Sequence, residues 1–169
     1  TPCGDNTSPE WQEIVDRIID EDSGENLFSM DSTWITDAEQ SLSQIIFSVE
    51  ANTDTVHLEA GFNGSDLILT TLVDNYNSDD PINLTLTAFD SDYTDTTYIN
   101  VYIDPLNDDP TLSIIGDQET DEDIPLVLTL EATDVDEDEL TVDATSSSPS
   151  DVSAEVSGNQ LTLTPAEDF

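Results

Sequence analysis

The chain has no lysine, one arginine (Arg17), one histidine (His57) and one cysteine (Cys3). Each scarcity closes a class of function. With Lys and Arg together numbering 1, no basic patch exists to displace counterions from a phosphate backbone, which excludes nucleic acid as a partner. An anionic membrane surface would repel the chain for the same reason. A single cysteine allows no internal disulfide framework and no CxxC pair for metal or redox chemistry. Cys3 reads as an exposed thiol, with an intermolecular bridge or a lipid attachment as its other uses. One imidazole without a cysteine partner argues against a transition-metal site. His57 lies in an alternating segment and reads as an exposed strand residue. No stretch approaches the roughly 20 apolar residues of a membrane-spanning helix. No signal peptide is visible, so any export signal is expected outside these residues.

What the chain has is acid. Asp and Glu number 40, and the formal net charge is -39. Without cations a compact state would suffer severe self-repulsion, and so much charge of one sign often means disorder. The apolar residues argue against disorder, because they fall in short alternating runs: Leu84, Leu86 and Ala88, then Ile99, Val101 and Ile103. Two explanations of the charge remain, a solvated halophilic surface and bound divalent cations. Acids clustered with oxygen-ligand spacing favour the cations.

A motif set occurs twice. PEWQEIVDRIIDED (9–22) aligns with PTLSIIGDQETDED (110–123), Pro9 on Pro110 and Ile14 on Ile115, an offset of 101 residues. That is one domain length, so the chain reads as a tandem array. Residues 1–8 look like a linker from a preceding repeat. Residues 9–109 form repeat 1, ending in the acidic joint 104–109, and 110–169 form a partial repeat 2.

The period-two pattern predicts strands around Ile45 and Phe47, Val56 and Leu58, Leu67 and Leu69, 82–89 and 97–103. In repeat 2 it predicts Leu126 to Leu130, Leu140 to Ala144, Val152 to Val156, and Leu161 with Leu163. Residues 11–20 have helical spacing, but the aligned segment carries Gly116 and does not, so an extended conformation is expected. Short strands with frequent turns predict tandem antiparallel β-sandwiches of immunoglobulin-like kind, the second incomplete. Its last two strands, equivalent to 82–103, are missing, which leaves open simple truncation or completion by a strand from a neighbouring chain.

Calcium takes six to eight oxygens, mostly carboxylates and carbonyls. Four clusters offer them: Glu21 with Asp22; Asp104, Asn107, Asp108 and Asp109; Asp134, Asp136 and Asp138; and the turn Asp90, Asp92, Asp95. An EF-hand is rejected, because DVDED (134–138) lacks the glycine at loop position six and the closing glutamate.

With NDDP (107–110), TDED (120–123), LEATDVDEDELTV (130–142), VSGNQLTLTPAEDF (156–169) and ITDAEQSLSQIIFSV (35–49), the chain resembles the cadherin-like tandem repeats of large bacterial surface adhesins. The resemblance implies a seven-stranded sandwich with calcium at each inter-repeat joint. Carried over, the joint ligands fall on Glu21 and Asp22, on Asp104, Asn107 and Asp108, and on Asp134 and Asp136. Outer ligands would be Asp37, Glu39 and Asp92 with Asp5 and Asn6 towards the preceding repeat, and Glu122 with Asp123 towards the next. The linker departs from the animal pattern, with Pro105-Leu106 between Asp104 and Asn107.

The implied function is an extracellular, non-enzymatic module of a surface adhesin or filament. A glycosidase would need a carboxyl in an apolar pocket and aromatic platforms, and aromatics are 7% of residues. No nucleophile triad, phosphate loop or cofactor fingerprint appears. Tyr76, Tyr93, Tyr98 and Tyr102 are expected as cross-strand packing residues, with a small glycan- or partner-binding surface as their other use. The sequons at Asn6, Asn63 and Asn83 are candidate glycosylation points. Expected partners are neighbouring repeats or identical subunits.

Overall fold

The computed structural model describes residues 6–167; Cys3 and Asp5 lie outside them. The chain divides into two compact units, one ending at Leu106 and the other beginning at Asn107. Nearly all regular structure is strand, with one 3-10 turn at Leu42–Gln44.

Unit 1 contains β1 (Glu10–Trp11), β2 (Arg17–Asp20), β3 (Glu25–Ser29), β4 (Ile35–Thr36), β5 (Ile46–Asn52), β6 (Leu58–Asn63), β7 (Asp66–Thr71), β8 (Ser78–Phe89) and β9 (Thr94–Asp104). One sheet runs β2-β9-β8-β5, another runs β3-β7-β6, and β1 pairs β4 in a short ladder. The two larger sheets supply the seven strands of a sandwich. They share one core, in which Leu67 and Leu69 of β7 meet Leu84, Leu86, Ile99 and Val101 of β8 and β9. The expected alternation is therefore met: each inward residue is buried and its neighbours turn outward. One pairing departs from the antiparallel expectation, since β2 runs parallel to β9, Ile18 opposite Tyr102. Residues 11–20 form no helix: Trp11 ends β1, and Arg17–Asp20 is β2. Their apolar residues divide: Ile19 enters the core, while Val15 and Ile18 stay exposed.

Unit 2 contains β10 (Thr111–Leu112), β11 (Leu126–Thr129), β12 (Ala132–Thr133), β13 (Val152–Ser157) and β14 (Gln160–Pro165). The β10-β12 ladder repeats β1-β4, and the β11-β14-β13 sheet repeats β3-β7-β6. The β6–β7 and β13–β14 hairpins each close on a two-residue loop whose first residue is a glycine in the left-handed region, Gly64 at φ 64 and Gly158 at φ 61. Among the described residues, unit 2 has no counterpart of the four-stranded sheet. This corrects one expected strand. Leu140 to Ala144 forms none, although its alternation matches that of β5. In unit 1 that strand is held by β8, and an extended segment with no partner has nowhere to send its backbone hydrogen bonds.

Val56 and His57 also differ from expectation. Both sit in the turn before β6, not in a strand. Asp54 accepts hydrogen bonds from the Val56 and His57 backbone N–H groups, which closes the turn. The half-buried His57 ring stacks on Tyr76 with centroids 3.5 Å apart, and its Nδ1 lies 2.7 Å from Asp54 Oδ2.

Arg17, the only arginine in a chain without lysine, makes no carboxylate ion pair among the described residues. Its guanidinium lies 4.0 Å from the Trp34 ring centroid and 5.1 Å from that of Phe28, and it donates to the Val15 carbonyl at 2.8 Å. Attraction between cation and ring quadrupole holds it there. Burial lowers its pKa, against the opposing pull of Asp16.

Candidate metal sites

Unit 1 carries acid groups at both ends of β9. At the end where β9 finishes, β2 runs out into Glu21 and Asp22. Glu21 is 1% exposed. Its backbone N–H donates to the Asp104 carbonyl at 2.9 Å, which continues the β2–β9 ladder by one residue. Its Oε1 accepts from the Leu106 N–H and its Oε2 from Asn77 Nδ2, each at 3.0 Å. Asp22 takes a positive φ of 59, and its Oδ1 accepts the Asn75 N–H at 2.8 Å. Glu21, with Asp22 next in sequence, is thus held against the Asp104 backbone carbonyl. Asn75 and Asn77, in the segment before β8, complete the group. Sequence reading missed them because an asparagine in an acidic loop carries no spacing signal; only the loop's return to β2 reveals them.

At the other end of β9 lies the turn Asp90 to Asp95. Asp90 is fully buried. One of its carboxylate oxygens accepts the Asp92 and Tyr93 N–H groups at 2.9 and 2.7 Å, and the other accepts Asn6 Nδ2 at 3.1 Å. Asn6 also reaches Asp92 at 3.2 Å. Gln40 Nε2 donates to the Asp90 carbonyl at 2.6 Å, which brings in the loop after β4. In that loop Asp37 Oδ1 accepts the Glu39 and Gln40 N–H groups at 2.8 and 2.6 Å, while its Oδ2 is buried without a partner. Glu39 accepts both the N–H and the hydroxyl of Thr7. Asn6 and Asp92 therefore meet at Asp90, whose central place the sequence did not single out, and Gln40 ties to it the loop that carries Asp37 and Glu39.

In unit 2, Asp134 Oδ1 accepts the Asp136 N–H at 2.9 Å and the Asp138 N–H at 3.3 Å. Asp136 Oδ2 accepts the Asp108 N–H at 2.7 Å. Asn107 turns its amide onto the Asp108 carbonyl at 2.9 Å. Glu122 and Asp123 are exposed in a turn before β11. Of the sequon residues, Asn63 is exposed at the end of β6, Asn83 donates its Nδ2 to Asn100, and Asn6 is engaged by Asp90 and Asp92.

The donors are carboxylate, amide and carbonyl oxygens throughout, a hard set suited to calcium or magnesium and not to thiophilic metals. Among the described residues no three Asp, Glu, His or Cys side chains converge as a preformed metal pocket. Many of the acids instead accept neighbouring backbone N–H groups.

Burial pushes the Asp90 carboxyl up, and the hydrogen bonds from Tyr93, Asp92 and Asn6 together outweigh it, holding it below the ordinary value of 3.8. The Asp54 carboxyl is lowered chiefly by His57, and the Asp31 carboxyl by Thr33. Because the folded values lie below the unfolded one, these carboxylates add stability that is present above about pH 4 and lost as pH falls further. Relief of self-repulsion works in the opposite direction, and salt suppresses it. In about 1 M NaCl, where the Debye length is near 3 Å, the thermal midpoint followed by circular dichroism should therefore fall as pH drops from 4 towards 2. A flat profile there would remove these carboxylates from the stability of unit 1.

No family model matches the chain, and no curated protein does. Among solved structures it is similar to an endo-fucoidan hydrolase, MfFcnA4 of glycoside hydrolase family 107, at 15% identity and TM-score 0.44. The match covers 99% of this chain but only 25% of the hydrolase, so the chain spans about a quarter of that protein's length. It is also similar to the titin domains Z1Z2 in complex with telethonin, at 11% identity and TM-score 0.40, covering 97% of this chain and 84% of that one. A titin I-band fragment, I67–I69, matches at 12% identity and TM-score 0.34, covering 95% and 56%. At these scores the likenesses carry no argument, and the sandwich assignment rests on the strands and core described above.

Proposed function

We propose that the chain is a non-enzymatic structural module, a tandem of β-sandwich repeats from an extracellular adhesin or filament, stiffened by calcium. The observation that carries this reading is the pair of acid groups at the two ends of β9, each organised around a buried carboxylate with no basic side chain to neutralise it. Glu21, Asp22 and Asp104 at one end, and Asp37, Glu39, Asp90 and Asp92 at the other, offer the oxygens calcium prefers. In unit 2, Asp108, Asp134 and Asp136 offer a further set. Calcium taken up by these groups neutralises the acids on both sides of residues 104–109 and sets the angle between successive repeats. The depressed carboxyls of Asp31, Asp54 and Asp90 are the reverse of what a general acid requires.

The test is thermal unfolding in EDTA and then in rising calcium, with magnesium as control. Extracellular calcium modules bind with dissociation constants on the order of 10⁻⁴–10⁻³ M. At about 10 mM calcium each ion should then add about 1.4–2.7 kcal/mol, read as a rise of several degrees in midpoint. No shift, or the same shift with magnesium or sodium, would leave the acids as a solvated surface and sink the reading.

A further inference from the structure

Residues 72–77 join β7 to β8 without regular structure, and they carry the two asparagines that meet the acid group where β9 finishes. Asn75 gives its N–H to Asp22 Oδ1 at 2.8 Å, and Asn77 gives its Nδ2 to Glu21 Oε2 at 3.0 Å. The connection has little of its own to hold it. Every residue in it except Tyr76 is exposed, and Asn75 takes a left-handed φ of 58. Tyr76 is half-buried and packs against the core of unit 1.

His57 grips this connection twice. Its carbonyl accepts the Leu72 N–H at 2.9 Å, at the start. Its ring lies on the Tyr76 ring, with centroids 3.5 Å apart and planes 7° from parallel. Aromatic pairs prefer particular orientations, so the contact sets the plane of Tyr76 as well as its place. The imidazole is itself fixed. Nδ1 sits 2.7 Å from Asp54 Oδ2, and an ionised carboxylate only accepts, so Nδ1 carries the proton of that contact. Asp54 is held in turn by the Val56 and His57 N–H groups, and its own N–H donates to Asn52 Oδ1 at 2.9 Å. Contacts thus run unbroken from Asn52 at the end of β5, through Asp54, His57 and Tyr76, to the asparagines that hold Glu21 and Asp22.

We propose that His57 is a positioning residue: its stack on Tyr76 holds residues 72–77 in the form that presents Asn75 and Asn77 to Asp22 and Glu21. The consequence for calcium rests on the metal reading above. Where these acids take up an ion, the stack has ordered their hydrogen-bond partners beforehand, so less ordering is left for binding to accomplish. Such coupling is reciprocal, and calcium at Glu21 tightens the stack in return. His57 is the one imidazole in the chain and reports on this by itself.

Amide exchange in EDTA tests the positioning without the ion. His57→Ala keeps the carbonyl and removes the ring. It should speed exchange of the Asn75 amide about tenfold more than that of the Leu84 amide in β8. Tyr76→Leu, which removes the stack from the other side, should do the same. His57→Phe restores a ring and should keep Asn75 within about threefold of the unsubstituted chain. Equal acceleration of both amides overturns the proposal, since the loss is then one of overall stability. A Phe variant that behaves like Ala overturns it too, since the stack is then not what holds the connection. Calcium tests the coupling. The His57 ring-proton signals in NMR should shift with the same calcium midpoint as the Leu106 amide, which donates to Glu21 Oε1. In His57→Ala that midpoint should rise about three- to tenfold. A Leu106 amide that titrates while the imidazole stays still, or a midpoint unmoved in His57→Ala, overturns the coupling. A Leu106 amide that never responds to calcium removes the metal reading alone, the positioning being decided by the exchange.

Discussion

Glu21→Ala should destabilise unit 1 by about 1–3 kcal/mol, because it removes a buried carboxylate and the two hydrogen bonds that it accepts. The donors are the Leu106 N–H and Asn77 Nδ2, which meet at a carboxylate that is itself 1% exposed. Glu21 thereby ties three segments of unit 1 together: the end of β2, the segment before β8, and Leu106 just after β9. Glu21→Gln separates this strut from a calcium ligand. Glutamine keeps one oxygen to accept the Leu106 N–H but brings no charge. The stability of the Gln variant in EDTA should therefore stay closer to the unsubstituted chain than that of the Ala variant, while its calcium-induced rise in midpoint should shrink. Chemical denaturation with and without calcium reads both effects. If Gln and Ala behave alike in EDTA, the hydrogen bonds do not hold the segment; if Gln keeps the full calcium response, Glu21 is not a ligand.

Leu86→Ala should cost more, about 2–5 kcal/mol, as expected for a large-to-small change in a packed core. Leu86 is fully buried in β8, opposite Val49 of β5 and Thr97 of β9, and belongs to the core shared by both sheets. A sandwich of about 100 residues loses roughly 4–8 °C for each kcal/mol, so the midpoint of unit 1 should fall by at least 8 °C. A drop of under 3 °C would mean that β8 is not the central strand of that core.

The strands of unit 1 were legible because burial on one face forces period two, and Leu84, Leu86, Ile99 and Val101 obey it without exception. The same signal failed at Leu140 to Ala144. Alternation reports which side chains want burial, not whether a partner strand is there to accept the backbone hydrogen bonds. It failed at Val56 too, where the carboxylate of Asp54 captures the local N–H groups and turns the chain. The acid clusters at 20–22, 37–39, 90–95 and 134–138 could be read as groups, because aspartates at alternate positions are visible in a sequence. Which acid in each group is buried could not. Asp90 and Glu21 owe their burial to residues far along the chain, Asn6 for one and Asn77 with Leu106 for the other. The tyrosines were expected as cross-strand packing residues, yet Tyr76 stacks on His57 while Tyr98 and Tyr102 point outward from β9.

Arg17 has one last consequence. The only arginine lies on the rings of Trp34 and Phe28 and forms no carboxylate ion pair among the described residues. Neutralisation of 40 acids is left to the solvent. Folding concentrates that charge and must draw small cations out of solution as it proceeds. The native state then carries an ion atmosphere with it, and the ionic composition of the medium acts as a reactant in its folding equilibrium.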